Sequence, residues 1–304
     1  MFFFPLIASL VLGWSLSRTR FCFYRWTDPQ AVRKHAISFN LLFTSLAIAL
    51  IHGLVLLFSD PEIVVNLYAF KHSMWIGCVI FAWGVWVNRA CTWGSLVQLG
   101  ERNWTYLFTF AGLYFGVVSD AFWGKALDPV RASGIEENAW QSPWAWGIVA
   151  IGIVALYFFR KKISFKWSTV SLIPWILLAL SAIVLTYFGH GIFINNGIRF
   201  ITSTREDAWT FGLVAVVTMI GAICAGLPAA SVHLKWRNIP RHLMGGFLMG
   251  VASFMIPGGT EEWLLRDTPF LLTQGWIALL LVACILFVFH FIFSRHRTSV
   301  DAPM

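Results

Sequence analysis

Cutting the chain at its Asp, Glu, Lys and Arg residues leaves nine uncharged runs: 1–17, 35–59, 72–88, 103–119, 138–159, 167–198, 208–234, 242–260 and 268–294. Each is long enough, or nearly so, to cross a hydrocarbon layer of about 30 Å as a helix. Only 12% of the 304 residues are charged and 58% are hydrophobic, whereas an ordinary soluble domain carries about 25% charged residues. A soluble enzyme, a nucleic-acid binder, a disordered tail and a disulfide-stapled secreted module are thereby excluded. The pattern predicts an all-α polytopic membrane protein with about nine transmembrane helices. Met1-Phe2-Phe3-Phe4-Pro5 lacks a basic leader region, and no small-residue cleavage site follows, so run 1–17 reads as a spanning helix and not as a signal peptide. No stretch is long and polar enough for a separate soluble domain. Residues 1–304 read as one membrane domain, with approximate halves 1–160 and 161–304 and an outside loop between Asp120 and Ser142.

The net charge of +8 acquires meaning when sorted by segment. If the N-terminus is outside and every run crosses, the inside segments hold 16 of the 22 basic residues and 3 of the 14 acids. The inside then carries +13 and the outside −5, and the excess of Arg and Lys on the cytoplasmic side predicts an N-out/C-in topology. Trp104, Trp123, Trp140, Trp144, Trp167, Trp209, Trp236 and Trp276 fall near run ends, where an amphipathic ring prefers to sit.

A shift of 169 positions aligns 77–91 with 246–260. In each copy a glycine-led apolar stretch ends in a broken, polar segment: Asn88-Arg89-Ala90-Cys91-Thr92 in one and Pro257-Gly258-Gly259-Thr260-Glu261 in the other. The topology runs the two copies in opposite directions. The pattern predicts a pseudo-two-fold inverted repeat with re-entrant or broken helical hairpins, the arrangement by which many transporters build a site at mid-membrane.

Five cysteines are present, none in Cys-x-x-Cys spacing and none grouped with histidines as zinc ligands. No metal or cofactor is implied. Cys78, Cys224 and Cys284 lie inside smooth apolar runs and read as small hydrophobes. His52 and His290 likewise read as core residues, and Gly189 to Gly197 as a turn-rich outer mouth. Cys22 and Cys91 differ, because both lie where a run breaks and both have arginine neighbours, which favour thiolate and draw anions. At these positions they are either small residues at tight helix junctions or reactive thiols. Arg89, Glu261 and Glu262 are costly near a membrane interior, where charges serve a pathway or a pairing role; in shallow hairpins they would be interfacial.

Arg20-Phe21-Cys22-Phe23 after Gly13, Asn88-Arg89-Ala90-Cys91-Thr92-Trp93-Gly94 followed by Leu99-Gly100-Glu101-Arg102-Asn103, and Gly245-Gly246-Phe247-Leu248-Met249-Gly250 resemble the motifs of the YeeE/YedE sulfur-transport family. The resemblance covers essentially the whole chain. It implies an hourglass-shaped helical protein of the bacterial inner membrane, multi-pass and not an enzyme, that takes up a small sulfur-containing anion, most notably thiosulfate. The anion would pass along cysteine thiols by S–H···S hydrogen bonds. Carried over, Cys91 is the principal thiol of the path and Cys22 its cytoplasmic-side partner. Thr260 stands where the family has a third cysteine, and Thr92 and Gly259 flank the path. Arg89 supplies positive potential. A TusA-like sulfur carrier at the cytoplasmic face is the implied partner. Thr260, with Glu261 and Glu262 beside it, keeps a different sulfur or selenium anion open as the cargo. A membrane thiol-redox protein using Cys22 and Cys91, and a non-transporting scaffold for a sulfur enzyme, are the readings of other classes.

Overall fold

The computed structural model describes residues 3–28, 43–51, 53–54, 72–119, 146–147, 149–152, 154, 169–187, 208–226, 234–256, 258–269 and 273–294. Every regular element among them is helical. The runs around 35–59 and 138–159 lie largely outside these residues, as do the loop 120–142, His52 and the segment Gly189 to Gly197.

Helix α1 spans Phe3–Thr19, and after Arg20 and Phe21 the short α2 covers Phe23–Thr27. Helix α3, His72–Asn88, gives way after three residues to α4, Thr92–Gly100; a single 3₁₀ turn then leads into α5, Leu107–Val118. Helices α6, Thr169–Tyr187, and α7, Ala208–Cys224, follow. Helix α8 spans Ile239–Met255 and opens with Pro240 in its first turn, where the missing N–H costs nothing. It stops before Pro257, and the chain restarts as a single turn, α9, Thr260–Glu262, that widens into a π turn over Trp263–Asp267. Helix α10 is Thr273–Ser294.

By length and composition, two stretches of the described residues are sufficient to cross a membrane: His72–Gly100, which contains the break between α3 and α4, and Gln274–Phe293. Shorter apolar helices cover Trp104–Val118, Ile173–Tyr187 and Gly212–Cys224. These helices carry large apolar side chains on their outer faces, among them Trp83, Phe115, Ile176, Leu280, Phe287 and Phe291, all exposed. Cys78 is buried, whereas Cys224 and Cys284 are exposed on such outer faces. His290 is a core residue: it is buried, contacts the Tyr24 carbonyl through Nε2 at 3.1 Å and packs on the Tyr24 and Trp86 rings.

Small residues decide how closely the helices approach. Helix α8 packs between α3 and α5. On the α5 side, Gly112 and Gly116 face Gly246 and Gly250, two small-xxx-small pairs. A Cβ at Gly246 would lie 2.0 Å from the Thr109 carbonyl oxygen. On the α3 side, Gly77 meets Met255 and Ile256, while Gly84 and Asn88 meet Gly245, so α3 and α8 run antiparallel. Helix α1 packs against α6, α7 and α4.

Among the described residues, three non-glycine residues adopt left-handed backbone, and all three are arginines that end helices: Arg20 (φ 51°) after α1, Arg89 (φ 59°) after α3 and Arg102 (φ 59°) after α4. Glycine or asparagine is the usual choice at such a helix end.

Candidate functional site

The break between α3 and α4 is held by one side chain. Asn88, fully buried at the end of α3, donates from Nδ2 to the Ala90 carbonyl at 2.8 Å and to Ser95 Oγ at 3.0 Å. Its Oδ1 accepts from Thr109 Oγ1 on α5 at 2.8 Å and meets His242 Nδ1 on α8 at 2.7 Å. Because the amide nitrogen is occupied in donating, His242 Nδ1 carries the proton, and Nε2 is left to accept from Arg241 Nη2 at 3.5 Å. The Tyr106 ring covers the imidazole at 4.2 Å between centroids. Asn88 thus ties α3, α4, α5 and α8 together at one point.

That knot positions Cys91, which caps the N-terminus of α4. Its Sγ accepts from the Gly94 amide at 3.3 Å, and its carbonyl accepts from the Ser95 amide and hydroxyl at 2.8 and 2.9 Å. Cys22 occupies the matching position before α2, where its carbonyl accepts from the Trp26 amide at 2.8 Å. The two thiols lie close enough to interact, and neither is in a disulfide. Gly94 makes room for this contact, since a Cβ there would lie 2.4 Å from Cys22 Sγ.

From the other break, Thr260 approaches Cys91. Its hydroxyl lies 3.4 Å from that of Thr92. Thr92 in turn donates to Glu261 Oε2. Cys91 with Thr260 and Thr92 with Glu261 are both pairs separated by 169 positions, the offset that aligns the two copies. Cys91, Thr92, Thr260 and Glu261 are all buried. Gly259 precedes the α9 turn in extended backbone, and Gly258 is left-handed at φ 87°. A side chain at Gly258 would strike the Glu262 carboxylate.

Glu261 and Glu262 are both buried. Their surroundings differ. Glu262 pairs with Arg266 at 2.8 Å, and Arg266 Nε also reaches Asp267 at 3.1 Å. Glu261 has no such cation among the described residues, and its Oε1 lacks a hydrogen-bond partner.

Two tryptophans wall the junction. Trp93 donates to the Leu16 carbonyl at 3.1 Å and packs edge-on against Phe21, and Trp263 packs on Phe81. Arg89 is exposed, like Arg20, Arg25 and Arg102. Arg25, Arg89 and Arg241 all lie within electrostatic range of Tyr106, as does Cys22, so Cys22 sits near a group of arginines. Arg20 also approaches Glu101 at 3.9 Å.

The six residues singled out from the sequence therefore fall in one region. Cys22 lies beside Cys91, Cys91 beside Thr260, and Thr260 beside Thr92; Gly259 is adjacent to Thr260, and Arg89 is exposed at the end of α3. The residues that sequence reasoning missed are those that hold the break, Ser95, Thr109 and His242 together with the amide of Asn88. A buried polar residue at the end of an apolar run was their available signal. No protein-family model matches the chain, and no curated protein matches it.

Proposed function

We propose that the chain is a multi-pass membrane permease that conducts a small sulfur-containing anion, with thiosulfate the first candidate, along Cys22, Cys91 and Thr260. The observation that carries this reading is the contiguous row of thiol, thiol and hydroxyl where two broken helices meet. A thiol is a weak, polarisable donor. It holds a soft sulfur anion loosely enough to release it, as conduction requires. The α4 amide end at Cys91 adds positive potential, and the arginines near Cys22 raise the local anion concentration.

The antiparallel pairing of α3 with α8, and contacts between positions 169 apart, support an inverted repeat. The exposed apolar helix faces suit lipid, and the charge bias favours N-out/C-in in a bacterial inner membrane. In that orientation the group of arginines near Cys22 is cytoplasmic, where a TusA-like carrier would receive the cargo. The YeeE/YedE resemblance agrees with this assignment. The hydroxyl of Thr260 in place of a thiol favours cargo with oxygen acceptors as well as sulfur.

The test is competition against radiolabelled thiosulfate uptake in proteoliposomes, with sulfate, selenite and selenosulfate as competitors, for wild type and Thr260→Cys. Preferential inhibition by sulfur- or selenium-bearing anions supports the reading. Equal inhibition by sulfate refutes the thiol selectivity. If thiosulfate flux is gained only in Thr260→Cys, the natural cargo is another anion of the class.

The Cys22–Cys91 contact also favours a second reading, a thiol relay that cycles through a disulfide. Uptake that persists under reducing conditions, with no Cys22–Cys91 disulfide trapped during turnover, eliminates it.

A further inference from the structure

Glu261 is out of place in an anion path. It is 3% exposed and its Oε2 accepts from Thr92. Its neighbour Thr260 lies near the Cys91 thiol. On its own element, Glu262, Arg266 and Asp267 are engaged with one another. Helix α4 brings Thr92 and the Cys91 thiol to it, and the Cys22 thiol lies behind Cys91. Helix α10 contributes Gln274 to Asp267, and α6 contains no charged residue. Among the described residues no cation faces Glu261, and Oε1 is a buried oxygen without a partner.

An ionised carboxylate about 5 Å from a passing anion, at an effective dielectric constant of about 20, weakens the binding of a singly charged anion on the order of a hundredfold and of a dianion such as thiosulfate by more. Neighbouring hydroxyls do not cancel a repulsion of that size. A neutral acid removes it and turns Oε1 into a hydrogen-bond donor. No cavity for a hydrated metal ion is required.

We propose that Glu261 is a proton-coupling residue: the anion passes Thr260 only while Oε1 carries a proton, so each anion enters together with a proton. An O–H bond forms at Oε1 with a proton from the outer side and breaks once the anion has left toward Cys22, the proton going to the inner solution. No electron is transferred. The proposal rests on the permease reading above.

The experiment uses the purified full chain in proteoliposomes. It compares radiolabelled thiosulfate uptake with and without an inward proton gradient, and follows internal acidification with a trapped pH dye. In wild type the gradient is expected to raise uptake about tenfold and thiosulfate to acidify the lumen. Glu261→Gln mimics the neutral acid, so its flux no longer responds to the gradient and the lumen stays unchanged; Glu261→Asp retains a response. A gradient-insensitive wild type, a Glu261→Gln variant as responsive as wild type, or a folded Glu261→Gln without any flux overturns the proposal. So does stimulation by a sodium gradient instead of protons. Thiosulfate exchange across the membrane without proton dependence refutes only the coupling. Absence of exchange in wild type refutes the permease reading and the coupling with it.

Discussion

Gly94→Ala tests the Cys22–Cys91 contact through a single methyl group. A Cβ at this position lies 2.4 Å from Cys22 Sγ, 3.1 Å from Cys22 Cβ and 3.3 Å from the Ala90 methyl. Ordinary contact between such atoms is about 3.5–4.0 Å, so the Cys22 sulfur must retreat by roughly 1 Å. Overpacking of this kind costs about 1–3 kcal/mol. Alanine recovers about 1 kcal/mol of helix propensity inside α4, leaving a net loss of about 0–2 kcal/mol. The protein therefore folds, but the thiols separate. Loss of one hydrogen-bonded step of about 1.4 kcal/mol corresponds to about tenfold slower thiosulfate uptake. Proteoliposome flux and the yield of oxidative Cys22–Cys91 cross-linking should fall together. The double variant Cys22→Ala/Gly94→Ala relieves the clash and should regain the thermal stability lost in Gly94→Ala without regaining flux. Flux in Gly94→Ala within twofold of wild type, with the protein folded, would refute the claim that the thiol contact lies on the path.

Three further substitutions separate structural from functional roles. Arg89→Gly removes a left-handed arginine and should stabilise the protein by about 1 kcal/mol in thermal unfolding. It should nevertheless slow uptake several-fold at low salt, an effect that fades as added salt screens the arginines. Asn88→Ala strips the partners of Ala90, Ser95, Thr109 and His242 and should destabilise by about 3 kcal/mol or more, measured by thermal unfolding in detergent. Arg266→Met leaves Glu262 and Asp267 as buried acids without their cation and should lower stability by about 3–5 kcal/mol in the same assay. Wild-type stability in either of the last two variants would contradict the roles assigned to these networks.

What the sequence made legible was periodic or local. The uncharged runs anticipate the helices because burying so many apolar side chains leaves no other economical use for them, and the glycines of α5 and α8 fall four apart within those runs. Both breaks announce themselves, one through Asn88-Arg89 and the other through Ile256-Pro257-Gly258-Gly259. Run 242–260 still misplaces its helix, because lack of charge continues past Met255 whereas the helical backbone does not. The pairing of Glu262 with Arg266 is an i,i+4 relation that was open to reading. The Asn88–His242 bond joins residues 154 positions apart and follows from how tightly α8 packs on α3, which no local pattern encodes. The partner of Glu261 was hidden for a related reason: two adjacent acids do not show in sequence which of them meets Arg266 and which meets Thr92. Left-handed φ at Arg20, Arg89 and Arg102 is equally unreadable, since arginine is a poor choice for that backbone.

The central claim, that the Cys91 thiol lies on the path of a sulfur anion, is tested most directly by initial rates of radiolabelled thiosulfate uptake into proteoliposomes holding equal amounts of folded wild type or Cys91→Ala. The expected result is saturable uptake by wild type and a loss of about tenfold or more in Cys91→Ala. No uptake by wild type, or an equal rate in Cys91→Ala, would contradict it.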